Sequence, residues 1–147
     1  MKIRNRLMDI KQLQQVNADG LEQWRPVMKA AFPLPSAEVE RVYGALGVPA
    51  PPLGRPAYTL EQFVDELVKP GDRLRAVTAH KKRAQYRIDD CRAEMTEVVV
   101  DGKRTRTVAV ESEDPGRVIA VVHDLGLGRL ENISYPRGLK RLIGMKG

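Results

Sequence analysis

Charged and apolar side chains alternate along three consecutive segments in the second half of the chain. The segments are residues 74–88, 91–100 and 103–113. In the first of them Lys81, Arg83 and Arg87 occupy alternate positions, and Ala84 and Tyr86 fall between them. Because successive side chains of a β-strand point to opposite faces, this alternation predicts three strands, each with one charged and one apolar face.

The short connections between these segments predict an antiparallel meander. Asp101-Gly102 favours a type I′ hairpin turn, which needs positive φ at both central residues, and Asp89-Asp90 suits a second turn. Cys91 falls on the apolar face of the second strand, which predicts a buried small hydrophobic side chain rather than a reactive thiol.

Two helices are predicted before the meander. The first is capped by Ser36 and ends at Gly47, with apolar residues at helical spacing between them. The second begins at Thr59, which forms a capping-box pattern with Gln62, and ends at Pro70-Gly71. Further towards the N-terminus, residues 2–8 and 20–29 predict two strands, and Pro26 restricts the second to an edge or a bulge.

Two more helices are predicted after the meander. Asp114-Pro115 combines an N-cap with a proline in the first turn, and Gly126 ends the helix that they begin. Residues 137–143 predict a short basic helix. The class is therefore α+β, an antiparallel sheet with helices packed on its apolar face, and the 147 residues suit one domain.

Composition indicates which kinds of molecule the protein could bind. The formal net charge of +6 favours anionic partners, such as phosphate ligands. Nucleic acid is disfavoured, because aromatic residues make up only 5% of the chain and no stacking platform is evident. The single cysteine, the lack of a signal-like start and the absence of a long apolar run predict a cytoplasmic protein that does not enter the membrane.

The charged strand faces are suited to phosphate and metal chemistry. Lys81, Arg83, Arg87 and Arg92 could clamp an oligophosphate, because guanidinium groups bond two phosphate oxygens at once. Glu94, Glu111 and Glu113 could hold Mg²⁺ or Mn²⁺, which prefer carboxylate oxygens. The alternative is that these groups form cross-strand ion pairs on a solvated face, and the residues alone leave both interpretations open.

The order of these motifs resembles the C-terminal half of the CYTH family. These are the triphosphate tunnel metalloenzymes, which include thiamine triphosphatases, class IV adenylyl cyclases and inorganic triphosphatases. The resemblance covers about residues 74–143. It is carried by Lys81-x-Arg83-x-x-Tyr86, Glu94-Met-Thr-Glu-Val98, Val108-Ala-Val-Glu111-Ser-Glu113, Leu125-Gly126-Leu127, Ser134-Tyr135 and Leu139. It implies a full or partial antiparallel tunnel, Lys81 and Arg83 as phosphate ligands, and Glu111 and Glu113 as metal ligands.

The N-terminal half departs from the family pattern. The family's opening Glu-x-Glu-x-Lys strand is absent. Arg4 and Arg6 correspond to the family's Arg-x-Arg strand, and Lys29 corresponds to a lysine in one of its later strands. We therefore expect a single CYTH-like domain over residues 1–147 that lacks the family's first strands. Loss of those strands leaves a sheet edge at which two copies could pair as a homodimer.

Three functions follow, in this order of preference. The first is a CYTH-like metal-dependent phosphohydrolase acting on tripolyphosphate, thiamine triphosphate or a nucleoside triphosphate. The second is a non-catalytic domain that binds a phosphate ligand or nucleotide, because the Glu-x-Glu-x-Lys motif is absent. The third is a nucleic-acid-binding module that uses the net charge and the basic C-terminal helix.

Overall fold

The computed structural model describes residues 1–145 and confirms the α+β class. Its strands form three antiparallel sheets of three, two and three strands. Within the described residues none of these sheets closes into a barrel. The chain divides into two compact units. Unit 1 contains Met1–Val16 and Glu22–Ala76, and unit 2 contains Asn17–Leu21 and the chain from Val77 onwards.

Unit 1 combines a three-stranded sheet with a two-stranded sheet and two helical segments. The larger sheet has the order β1-β2-β3, formed by β1 (Lys2–Arg4), β2 (Leu7–Val16) and β3 (Glu22–Ala31). The smaller sheet pairs β4 (Leu34–Pro35) with β5 (Ala57–Tyr58). The helical segments are α1 (Ser36–Leu46) and α2 (Leu60–Gln62), and α2 continues as a π-helical segment, Phe63–Val68.

The core of unit 1 lies between the inner face of β2 and the helical segments. Met8 and Ile10 of β2 are fully buried in it, together with Val39 of α1. The Phe63 ring packs edge-on against Phe32, with 5.7 Å between the ring centroids. The neighbouring Tyr43 hydroxyl donates a 2.8 Å hydrogen bond to the Leu67 carbonyl oxygen. This bond ties α1 to the π-helical segment.

The predicted strand over residues 2–8 is wrong, because a turn interrupts it. Asn5 and Arg6 both adopt positive φ, 51° and 59°, and reverse the chain between β1 and β2. This turn brings Ile3 opposite Met8, so that both side chains contribute to the core. Arg6 consequently lies in a turn and not in an Arg-x-Arg strand. The prediction for Pro26 is confirmed, since it sits on an edge strand beside a register shift.

Of the two helix caps predicted in unit 1, one is confirmed and the other is wrong. The capping box is complete, because the Thr59 side chain accepts from the Gln62 backbone while the Gln62 side chain accepts from the Thr59 backbone. Ser36, by contrast, is the first helical residue and not the cap, a position taken by Pro35. Its hydroxyl instead donates to the Arg55 carbonyl oxygen.

Unit 2 is an antiparallel meander with two helices. Its strands, in the order β6-β7-β8, are β6 (Ala79–Ile88), β7 (Cys91–Val100) and β8 (Lys103–Glu111). They are followed by α3 (Pro115–Asp124), a short 3-10 turn (Leu127–Arg129) and α4 (Tyr135–Ile143). Positive φ values at Asp101 (50°) and Gly102 (74°) confirm the predicted turn. The first strand begins at Ala79 rather than at residue 74, and the last ends at Glu111 rather than at residue 113.

Two opposite faces of this sheet are used below. The Lys81 face contains the alternate β6 residues Lys81, Arg83, Gln85 and Arg87 with their partners on β7 and β8, and the Tyr86 face contains Lys82, Ala84, Tyr86 and Ile88 with theirs. α3 covers one end of the Tyr86 face, where Cys91, Val118 and Val121 form a buried cluster. The predicted burial of Cys91 is therefore confirmed.

The expectation that all helices pack on the apolar face is wrong for α4. α4 contacts β7 and β8, and its first residue, Tyr135, lies beneath Lys81 on the Lys81 face. The reason lies in β7, whose buried side changes along the strand. Cys91 is buried on the Tyr86 face, whereas Val98 and Val100 are buried on the Lys81 face.

No helix in residues 1–145 is both long enough and apolar enough to cross a bilayer.

Candidate functional site

The Lys81 face brings four cationic side chains onto one side of the sheet. Lys81, Arg83 and Arg87 stand at alternate positions of β6, and Arg92 of β7 lies directly opposite Arg87. Alternate residues of a strand are separated by roughly 6.6 Å, so the three β6 cations form a row in which Gln85 separates Arg83 from Arg87. The four cations that the sequence predicts for one charged face therefore lie on the same face.

Glu94 lies in the middle of this row and is held by its neighbours. One carboxylate oxygen accepts a 2.6 Å hydrogen bond from the Thr96 hydroxyl. The other accepts from Gln85 at 3.2 Å and lies 3.6 Å from the Arg83 guanidinium. The Thr96 hydrogen bond, supported by Gln85 and Arg83, lowers the pKa of Glu94 against the opposing effect of burial. Glu94 is therefore an ionised carboxylate whose bonds are made within the sheet.

Tyr135 forms the floor of the row at its Lys81 end. The Lys81 ammonium lies 3.5 Å from the centroid of the Tyr135 ring, a cation–π contact. The Tyr135 hydroxyl is buried, and it has no hydrogen-bond partner among the described residues. Burial raises the pKa of Tyr135, although the nearby Arg83 charge acts in the opposite direction. The phenol is therefore neutral, and its hydroxyl oxygen is shielded from solvent.

A depression of about 460 Å³ lies at the other end of the row. Arg87 and Arg92 line it together with Glu111 and Glu113. Arg92 and Glu111 lie opposite each other in the sheet, and their charged groups are 3.5 Å apart. Both side chains are largely exposed, so this ion pair is weak and can yield to another anion. Arg87 has no ion-pair partner in the described part of the chain.

The three glutamates predicted as metal ligands have different surroundings in the structure. Glu94 uses both of its oxygens for hydrogen bonds, and Glu111 faces Arg92. Glu113 lies beyond the end of β8, on the connection to α3. Across residues 1–145 no group of three or more His, Cys, Asp or Glu side chains is placed to hold a metal ion. Their assignment to Mg²⁺ or Mn²⁺ stays a prediction.

The remaining predicted phosphate ligands belong to unit 1. Arg4 and Lys29 lie on the outer face of the β1-β2-β3 sheet, on the side away from Met8. Lys29 is opposite Asp9, which also accepts a salt bridge from Lys2 at 3.2 Å. Arg6, in the turn, lies 3.4 Å from Glu61.

Sequence reasoning missed Tyr135 as a member of the site. Its ring is brought to Lys81 by the packing of α4, which no local pattern specifies. The available signal was its place in Ser134-Tyr135, at the start of a basic amphipathic helix. Arg92, by contrast, was predicted with the other cations, because its alternation with Glu94 places both on the charged face.

Comparison with known proteins gives no relative: no protein-family model, no curated protein and no solved structure matches this chain. The resemblance of residues 74–143 to the CYTH family therefore rests on the order of their motifs alone.

Proposed function

We propose that the Lys81 face binds the phosphates of a triphosphate-containing small molecule. The observation that carries this proposal is the row of Lys81, Arg83 and Arg87 on one strand face, with Arg92 beside it. A linear oligophosphate presents its charges in a row as well, so several cations can contact it at once. Arginine is suited to the task because its planar group forms two parallel hydrogen bonds to phosphate oxygens.

The neighbouring groups support the same ligand. Glu94 offsets part of the Arg83 charge and Glu111 part of the Arg92 charge, but Arg92 stays largely exposed and Arg87 has no ion-pair partner among residues 1–145. At the far end the Tyr135 ring holds the Lys81 ammonium on this face through the cation–π contact. The ligand would therefore be bound by charge along the row, with Lys81 held in place at one end.

Titration calorimetry with tripolyphosphate, in metal-free buffer at low salt, tests this proposal. We expect Arg87→Ala and Lys81→Ala to weaken binding by about tenfold each, as expected for loss of a charge-assisted hydrogen bond. Lys82→Ala is the matched control, because Lys82 adjoins Lys81 on the same strand but belongs to the Tyr86 face. Equal losses in Lys81→Ala and Lys82→Ala would indicate general attraction to a basic protein and would refute the proposal.

A second candidate is the phosphohydrolase that the CYTH resemblance implies. It is favoured by Glu111 and Glu113, which line the same depression as Arg87. The metal-dependent release of phosphate from tripolyphosphate, thiamine triphosphate or a nucleoside triphosphate tests it. Activity with Mg²⁺ or Mn²⁺ that Glu111→Ala abolishes would establish a catalyst. Tight binding of tripolyphosphate without release of phosphate would instead indicate a non-catalytic domain that binds phosphate ligands.

Several finer features of the CYTH resemblance accompany this candidate as predictions. They are the tunnel, the single CYTH-like domain, the homodimer and the cytoplasmic location. Sedimentation velocity of the whole chain, with and without tripolyphosphate, tests the homodimer directly.

A further inference from the structure

The Tyr86 face carries exposed apolar side chains beyond the part that α3 covers. Ala84, Met95 and Val108 lie opposite one another across the three strands, and Tyr86 occupies the adjacent row. Tyr86 is 52% exposed, Met95 48% and Val108 45%. We call these three exposed side chains the apolar patch. Clustered exposed apolar groups of this kind mark interaction surfaces.

Cationic side chains border the apolar patch on the side away from α3. Lys82 and Arg106 stand in the next row with Glu97 between them, and Arg104 stands in the row beyond. Glu97 is paired with Arg106 at 3.0 Å. Lys82 and Arg104 have no ion-pair partner within residues 1–145. A depression of about 260 Å³ between Lys82, Met95 and Arg106 joins the apolar patch to this basic border.

Charge and shape distinguish three kinds of occupant. A second copy of the chain would bring the same cations to the contact and would be repelled. Single-stranded nucleic acid binds such faces by stacking successive bases on successive aromatic rings, and this apolar patch has one ring, Tyr86. A protein segment with acidic and apolar side chains can pair with the basic border and can also contact the apolar patch. Tyr, Met and Arg are also residue types that are enriched in protein interfaces.

We propose that the Tyr86 face docks an acidic, amphipathic segment of a partner protein. Its apolar side chains contact Met95 and Val108, and its carboxylates pair with Lys82 and Arg104. The surface lies on the opposite side of the sheet from the Lys81 face, so docking does not compete for the phosphate row.

Nuclear magnetic resonance titration of isotope-labelled protein tests the proposal with a synthetic peptide in which Glu and Leu alternate. We expect saturable shifts at Tyr86, Met95 and Val108, and much smaller shifts with a peptide in which Glu and Gly alternate. Met95→Glu should weaken peptide binding by about tenfold. Leu130→Glu is the control, because Leu130 is 61% exposed but lies outside the β6–β8 sheet.

A second variant keeps the test valid if Met95→Glu fails to fold. Arg104→Glu reverses an exposed border charge without touching the apolar patch, and it should also weaken binding. The absence of saturable shifts at about 1 mM peptide would overturn the proposal. It would equally be overturned by tighter binding of oligothymidylate at the same residues, or by self-association that Met95→Glu abolishes.

Discussion

Replacement of Glu94 by Gln tests whether this side chain is a structural partner of the cation row or a metal ligand. The substitution keeps the shape and one acceptor oxygen but removes a negative charge 3.6 Å from Arg83. If Glu94 only offsets the positive charge of the row, its neutralisation should increase the affinity for tripolyphosphate in the absence of metal. If it is a metal ligand, the variant should instead lose any gain that Mg²⁺ gives.

The size of the increase follows from the geometry. A phosphate oxygen bound on the far side of the Arg83 guanidinium would lie about 7 Å from the Glu94 carboxylate. Removal of that repulsion is worth about 0.6 kcal/mol per phosphate charge at an effective dielectric constant of ~80, and about 1.2 kcal/mol at ~40. Affinity should therefore rise roughly three- to eightfold at low salt, and the gain should shrink as the salt concentration increases.

Calorimetry of wild type, Glu94→Gln and Glu97→Gln provides the measurement. Glu97 is the matched control, because it is also an ion-paired glutamate of β7 but lies on the Tyr86 face. An unchanged or lower affinity of Glu94→Gln in metal-free buffer would show that the carboxylate does not oppose the ligand, and our reasoning about the Lys81 face would be wrong.

The Glu94→Gln variant also tests an expected pH dependence of stability. The pKa of Glu94 is lowered in the folded protein, chiefly by the Thr96 hydrogen bond. The ionised Glu94 side chain therefore makes its full contribution to the free energy of unfolding above roughly pH 4.3, the ordinary pKa of glutamate. This contribution is lost as the pH falls through the lowered pKa of the folded state. Urea unfolding of wild type and Glu94→Gln should show a difference at neutral pH that disappears in acid. A difference that persists in acid would exclude the carboxylate charge as its cause.

Three further substitutions test the packing of the two units by urea denaturation. Val121→Ala, at a side chain 1% exposed, should destabilise unit 2 by about 2 kcal/mol through the cavity that it leaves, while the partly exposed Ile119→Ala should cost far less. Tyr43→Phe should cost about 1 kcal/mol, because it leaves a carbonyl of the π-helical segment without its donor. Gly102→Ala should cost about 1 kcal/mol at φ of 74°, whereas Gly128→Ala, with ordinary φ and open space around it, should be nearly neutral. Equal effects within either matched pair would contradict these explanations.

Local signals in the sequence were sufficient for several helix ends and turns. The capping box at Thr59, the Asp114 cap and the Asp101-Gly102 turn are all present in the structure. Each depends on bonds or dihedral angles within a few residues, so the local sequence contains the information that specifies it. The alternation of β6 likewise predicted which of its cations share a face.

Features that depend on distant contacts were not predictable in this way. The turn at Asn5 and Arg6 contains no glycine, the residue that adopts positive φ most readily, so no local signal marked this hairpin. The contact of Tyr135 with Lys81 requires α4 to fold back onto the sheet. The Lys81 face was therefore predictable as a row of charges but not as a surface with an aromatic floor.

The change of buried side along β7 fixes the alignment of the whole meander. A strand buried on one face resists slippage because a shift of one residue exposes its apolar set. In β7 such a shift would be unfavourable at both ends of the strand. It would turn Arg92 towards α3 at one end, and it would expose Val98 and Val100 at the other. Two independent anchors, on opposite faces, therefore hold one register. We expect the amides of β7 to be among the slowest to exchange with solvent, and β7 to constrain how its two neighbours pair during folding.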